Sequence, residues 1–244
     1  MGYDVKGAVA LVTGANRGLG AAYVQGLLDA GAAKVYAAAR TPVEAPAELR
    51  GRVVPIRVDL KDAASIAEAA RIAGDVTLLV NNAGVALGAR LLGAGSIDAA
   101  REEMEVNYFG TLSVTRAFAP VLAANGGGAV VNVLSIASRV NLPAIGSYSA
   151  SKAAALSMTQ GVRAELAAQG THVLGVMPGF VDTDMAARVT APKIPPSEVV
   201  QATIGALAAG DEEIYPGEQA AGIAAGLAHD AKAVERQLAT TLSA

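Results

Sequence analysis

The reading of the fold turns on Ala8-Val9-Ala10-Leu11-Val12-Thr13-Gly14-Ala15-Asn16-Arg17-Gly18-Leu19-Gly20. Ala8 to Val12 is a short apolar run that reads as a first strand. It leads straight into a glycine-rich turn, Thr13 to Gly20, and an amphipathic helical pattern follows. That order has a physical logic. One glycine permits the tight turn, a second lets backbone approach an anion, and a third lets the helix pack closely on the sheet with its N-terminal N–H groups facing the anion. With 27 glycines in 244 residues such patterns also arise by chance, so the weight lies in the placement between first strand and first helix.

Further strands are expected at Lys34 to Ala38, Val53 to Val58, Val76 to Val80, Ala129 to Leu134, His172 to Met177 and, briefly, Glu213 to Tyr215. Their apolar residues do not alternate in and out, which indicates a sheet covered on both faces. Alanine-rich helical stretches separate most of them, so the expected fold is α/β: a doubly wound parallel sheet of the Rossmann kind, about seven strands with helices on both faces. A long helix is expected over about Asp98 to Ala124, turning at Gly126-Gly127-Gly128 into the fifth strand. Pro192 to Pro196 marks a loop, with Ser197 as N-cap of the next helix, and the stretch from Gly217 onward reads as helical and polar on one side. No linker or repeat interrupts residues 1–244, and a single domain is expected.

Composition removes several functions. The absence of cysteine excludes disulfides, thiolate zinc sites and cysteine nucleophiles. Two histidines, His172 and His229, are too few for a histidine metal cluster, and no metal site is expected. A net charge of -3 argues against nucleic acid as a partner, which needs clustered Lys and Arg. Mean hydropathy is +0.39, yet no apolar run approaches the roughly 20 residues of a membrane span. The N-terminus carries no secretory pattern. A soluble, cytoplasmic protein with no membrane partner is expected.

Several motifs together resemble the short-chain dehydrogenase/reductase family, in its short single-domain branch. Thr13 to Gly20 is similar to the family's nucleotide turn, and so is Asn81-Asn82-Ala83-Gly84 after the fourth strand. Tyr148-Ser149-Ala150-Ser151-Lys152, with Ser135 upstream, resembles its active-site signature, and Asn107 in Val106-Asn107-Tyr108-Phe109-Gly110 matches its fourth catalytic position. Pro178-Gly179 and Thr183 match the segment after strand six. The resemblance runs from residue 8 to about 184. It implies a dinucleotide site at Gly14, Asn16, Arg17, Gly18, Leu19 and Gly20, with Asp59 and Leu60 bracketing the adenine. It also implies that Asn81, Ala83 and Gly84 line the ribose, and that Pro178, Gly179, Val181 and Thr183 orient the nicotinamide. Asn82 has two readings, cofactor contact or a tie between strands. A homo-oligomer, dimer or tetramer, is implied as well.

Charge selects the form of the dinucleotide. An acidic residue about 20 residues past the turn suits the ribose 2′-OH, whereas arginine suits a 2′-phosphate. Strand two ends Ala39-Arg40-Thr41 with no acid, and Arg17 lies within the turn. Guanidinium forks bind phosphate oxygens bidentately, so NADP(H) is the expected cofactor, with Arg40 and Thr41 at its adenosine end.

Tyr148 and Lys152 are four apart in a helical run and share one face. A free tyrosine has a pKa near 10, and a neighbouring ammonium favours its phenolate. The pair supplies an acid able to protonate a carbonyl oxygen as hydride arrives, with Ser135 holding that oxygen. By resemblance, Asn107 joins a proton relay, and Lys152 and Tyr148 also touch the nicotinamide ribose. The expected activity is reduction of a ketone or aldehyde to an alcohol, reversibly. A non-catalytic NADP(H)-binding regulator and an acyl-carrier-protein-linked 3-ketoacyl reductase, docking through Arg116 and Arg163, remain alternatives. Candidate substrate contacts are Val85, Ala137, Asn141, Ile145, Phe180 and Met185. These are mostly apolar, with a short lid at Met185 to Pro196, and suit a bulky uncharged ketone. An inward-pointing Arg139 would instead select an anion.

Overall fold

Strands form at Val9–Thr13 (β1), Lys34–Ala39 (β2), Val53–Arg57 (β3), Leu78–Asn81 (β4), Gly128–Val133 (β5), Thr171–Val176 (β6) and Glu213–Ile214 (β7). Each lies within two residues of its expected bounds. In the structure, a computed structural model that describes residues 2–242, all seven join one parallel sheet in the order β3-β2-β1-β4-β5-β6-β7. Met1, Ser243 and Ala244, the ends of the expected domain, lie outside the described residues. The chain starts mid-sheet, winds outward to β3, then crosses back to β4 beside β1. That reversal opens a crevice at the carboxyl ends of β1 and β4, where ligands bind in such sheets.

Apolar residues of the sheet are buried on both faces, as their lack of alternation requires. One face packs on α1 (Gly18–Asp29) and α6 (Pro196–Ala209) through Val12, Tyr23, Leu27, Val199 and Leu207. The Tyr23 hydroxyl, fully buried, finds its partner in Thr203 Oγ1 at 2.8 Å. The other face packs on α2 (Ala63–Ile72), α4 (Thr111–Ala124) and α5 (Gly146–Leu166) through Leu11, Ile66, Val114, Phe118, Met158 and Val162.

Three elements depart from expectation. The helix foreseen over Asp98 to Ala124 is a column of three parts: α3 (Asp98–Met104), a π-helical segment at Glu105–Gly110, and α4. The wider turn has no composition of its own and α3 buries no apolar side chain to mark a change of phase, so the hydrophobic pattern could not reveal it. Ser197 is not an N-cap: α6 begins at Pro196, and Ser197 lies in its first turn. Proline is favoured at that first position because its missing N–H would be unpaired anyway. The last helix, α7 (Glu218–Ala239), breaks at Asp230, whose φ of -149° and ψ of 91° are not helical. The Asp230 carboxylate accepts from Ala233 N at 2.9 Å, capping a second arm that folds back. Val234 then packs so near Gly226 that a β-carbon there would stand 2.9 Å away. The resulting helical hairpin rests on Ile136–Ser138, and its last turn, Thr240–Leu242, lies against Pro143–Ile145.

Candidate active site

The glycine turn leaves β1 at the crevice. Gly14 and Gly18 have φ of +66° and +52°, left-handed values that favour glycine. Gly20 meets a different demand: a β-carbon on it would sit 2.0 Å from the Gly14 carbonyl oxygen. No side chain caps α1, so its first N–H groups are left for an anion. Exposed Asn16 and half-buried Leu19 complete the turn. Thr13 braces it from below. Its Oγ1 accepts from Asn82 N and Ala83 N, both at 3.0 Å, joining the turn to the Asn81-Asn82-Ala83-Gly84 segment. These features fit a dinucleotide's pyrophosphate.

Arg40 and Thr41 lie exposed just beyond β2, and Arg40 makes no ion pair or hydrogen bond among the described residues. Arg17 pairs with Asp184 Oδ2 at 3.1 Å, a solvent-exposed bridge spanning from the turn to the segment after β6. Asp59 and Leu60 follow β3; Asp59 Oδ1 accepts from Lys61 N, and Leu60 packs against Gly110. Asn81 departs from its expected place. Its side chain turns into the sheet, where Nδ2 donates to Thr115 Oγ1 at 3.0 Å and Asn132 Oδ1 at 2.9 Å. Only its backbone remains toward the crevice. Asn82, given two readings by the sequence, ties β1 to β4 by donating from Nδ2 to the Thr13 carbonyl at 2.9 Å.

Ser135 follows β5 and opens the Ile136–Ser138 turn, its Oγ accepting from Ala137 N at 3.2 Å. Tyr148 and Lys152 face the same side of α5. Burial pushes the Tyr148 phenol up to about 12; a hydrogen bond with Ser135 opposes this and the Glu103 carboxylate adds to it. Burial takes the Lys152 ammonium down to about 8. Its Nζ donates to the Val133 carbonyl at 2.9 Å and stands 5.8 Å from the Tyr148 ring centre. Asn107 lies in the π-helical segment, buried, and is fully engaged. Its Oδ1 accepts from Val85 N at 2.8 Å; its Nδ2 donates to the Val85 carbonyl at 2.8 Å and Ser151 Oγ at 2.9 Å. Gly84 passes so close that a β-carbon would lie 3.0 Å from Asn107 Oδ1 and 3.5 Å from Lys152 Nζ. Two strand ends and two helical columns thus bring Gly84, Asn107, Ser135, Tyr148 and Lys152 together.

After β6, the Pro178 carbonyl accepts from Ile136 N at 2.9 Å, Gly179 abuts the Gln219 side chain, and Val181 pairs with Ile194 as an isolated parallel bridge. Thr183 packs its methyl on Gly18. Among the expected substrate contacts, Val85, Ile145 and Phe180 are half-buried around the crevice, Asn141 donates to the Gly146 carbonyl at 3.2 Å, and Met185 is 57% exposed. Ala137 is the exception: at 1% exposure its methyl belongs to the interior. Arg139 points away, donating to Glu213 Oε2 at 3.0 Å and to the Tyr215 hydroxyl. Arg163 is likewise committed, to the carbonyls of Val173 and Glu212. Thr13, Ser151 and Glu103 were not foreseen. For Glu103 the sequence offers only its place four residues before Asn107, which does not mark a buried acid.

Known proteins resemble this chain in sequence and fold. Residues 8–193 match the short chain dehydrogenase family, and the chain belongs to it. A galactitol 2-dehydrogenase (L-tagatose-forming) of Cereibacter sphaeroides is 36% identical over 193 residues, 75% of either chain. A 3-oxoacyl-(acyl-carrier-protein) reductase of Synechocystis is 31% identical over 196 residues, 76% of this chain and 79% of that protein. Nearer in structure is a short chain dehydrogenase of Burkholderia cenocepacia, solved in complex with NADP. Its TM-score is 0.92 at 50% identity, covering 96% of this chain and 98% of that one, so the likeness reaches into α7.

Proposed function

We propose that the protein is an NADP(H)-dependent oxidoreductase that reduces a bulky, uncharged ketone to an alcohol, and runs in reverse. The observation that carries this reading is the convergence of Ser135, Tyr148 and Lys152 beside the uncapped start of α1. Family membership supports oxidoreductase chemistry. The NADP bound to the Burkholderia relative, together with unpaired Arg40 and the missing acid after β2, supports the phosphorylated cofactor. Gly14, Gly18 and Gly20 would cradle its pyrophosphate, and Lys152 its nicotinamide ribose. When bound, it supplies the hydride.

The chain's own residues handle the proton. Ser135 donates to the substrate oxygen and lowers the cost of its developing charge. Tyr148 gives its phenolic proton to that oxygen as the alcohol forms, leaving a phenolate. The Lys152 ammonium stabilises that phenolate, and Asn107 fixes the depth of the site by bracing Val85. Arg139, drawn off by Glu213, is not turned towards a substrate anion, which favours neutral substrates. Arg163 is equally withdrawn, which removes one of the two cations considered for acyl-carrier docking. Following NADPH absorbance with a neutral aryl ketone and a keto acid of similar size tests the reading. Higher kcat/KM is expected for the ketone, and for NADPH over NADH. A preference for the acid that vanishes in Arg139→Ala would overturn the substrate class.

A further inference from the structure

Glu103 is fully buried on α3 and forms no ion pair among the described residues. One oxygen, Oε1, accepts from Leu87 N at 2.6 Å, and the other, Oε2, is buried with no hydrogen-bond partner among the described residues. An isolated buried carboxylate is expensive, and a methionine or leucine of similar volume would fill the space without that cost. Its place is specific. Glu103 precedes Asn107 by four residues, and α3 packs on α5. Both helices descend from the carboxyl edge of the sheet, so one turn above the Asn107–Ser151 hydrogen bond Glu103 on α3 comes level with Tyr148 on α5. We propose that Glu103 is a positioning residue of this site, one oxygen pinning the Val85–Gly88 wall through Leu87 and the other holding negative charge against Tyr148.

The inference rests on the reading of Tyr148 as the proton-transfer group. Few other charges face it. Lys152 lies one turn along α5; Arg139, beyond the Ile136–Ser138 turn, is committed to Glu213; His172 sits at the far end of β6 against the Asp211 carbonyl. On α3 and the segment after it, Asp98 pairs with Arg101, Glu102 with Lys61, and Glu105 faces solvent. A negative neighbour disfavours the phenolate, so the phenol, the proton donor, persists to higher pH than it would alone. Glu103 thereby widens the alkaline side of the window in which reduction runs.

Glu103→Gln separates the two oxygens' roles, since the amide oxygen still accepts from Leu87 while the charge is gone. In protein saturated with NADP+, Tyr148 ionisation is read as the 295 nm absorbance difference from the matching Tyr148→Phe protein. It is expected to move to a pH lower by about 1 in Glu103→Gln. The pH above which ketone reduction declines should move with it, at unchanged KM. Glu103→Met removes the Leu87 contact as well, and there KM for the ketone should rise several-fold. Ionisation and alkaline limb that both stay where the wild type has them would overturn the proposal, whatever happens to thermal stability. A shifted ionisation in a protein that reduces no ketone upholds Glu103's charge effect and sinks the functional reading instead. Should Glu103→Met fail to fold, the two readouts on Glu103→Gln still decide.

Discussion

Tyr148 and Lys152 sit one helical turn apart, and burial acts on them in opposite senses, raising the phenol to about 12 and lowering the ammonium to about 8. Both shifts favour uncharged forms. Replacing Tyr148 by Phe removes the transferable proton and keeps the ring. Turnover should fall by several orders of magnitude while NADPH still binds, and retention of a tenth of wild-type turnover would rule out the proton role. For Lys152 the consequence is one of stability. Its folded-state value lies below its ordinary value near 10.5, so between about pH 8 and 10.5 the unfolded chain holds more protons, and stability attributable to this group rises with pH. Below pH 8 the buried ammonium is a standing cost. Lys152→Met should therefore melt higher than wild type at pH 7, by about 2–4 °C for each kcal/mol recovered, and lose activity. The gap in Tm should narrow at pH 9.5; a mutant that melts lower at pH 7 would contradict this. Tyr148, Lys152 and Ser135 were legible in sequence only together, through their resemblance to one family signature, since a four-residue spacing or a strand-end serine alone is common in structural roles. Glu103 was not, because an acid in a helix reads as solvated until the neighbouring helix is in place.

At the scale of elements, the glycine turn and the π-helical segment differ in how they are encoded. The turn is written in residue types: Gly20 is demanded by the Gly14 carbonyl, which would stand 2.0 Å from a β-carbon. Gly20→Ala should accordingly abolish dinucleotide binding and lower Tm. Gly205→Ala is the contrasting case. Gly205 is exposed within α6 with open space where a β-carbon would go, and alanine is favoured over glycine in a helix by about 1 kcal/mol. That variant should gain Tm at full activity, and thermal scans of both proteins check the pair. The π-helical segment, by contrast, is written nowhere in local composition. Glu105–Gly110 joins α3 to α4 as one helical column, and what holds it is tertiary: Gly110 is crowded by Leu60, and Asn107 is clamped to Val85 and Ser151.

Over the whole molecule, the parallel, doubly wound sheet followed from the alternation of strand and helix, whereas the strand order among the few windings that right-handed crossovers allow came from the structure. The C-terminal hairpin did not follow. Its helical content was plain from Gly217 onward, but the reversal at Asp230 depends on a side chain capping its own backbone and on Val234 finding Gly226. The hairpin leans on the Ile136–Ser138 turn and reaches Pro143–Ile145, both next to Tyr148. A chain ended at His229 should keep its affinity for NADPH, because the glycine turn is remote, while KM for the bulky ketone changes several-fold. Equal KM in the two proteins would mean that the second arm is a bystander. The position of Leu242 also bears on how the protein is handled. A group attached at Leu242, in the turn that lies against Pro143–Ile145, is held close to the start of α5 and so to Tyr148, and a label placed there bears on the kinetics. A fluorophore attached near Leu242 would, for the same reason, report directly on what enters.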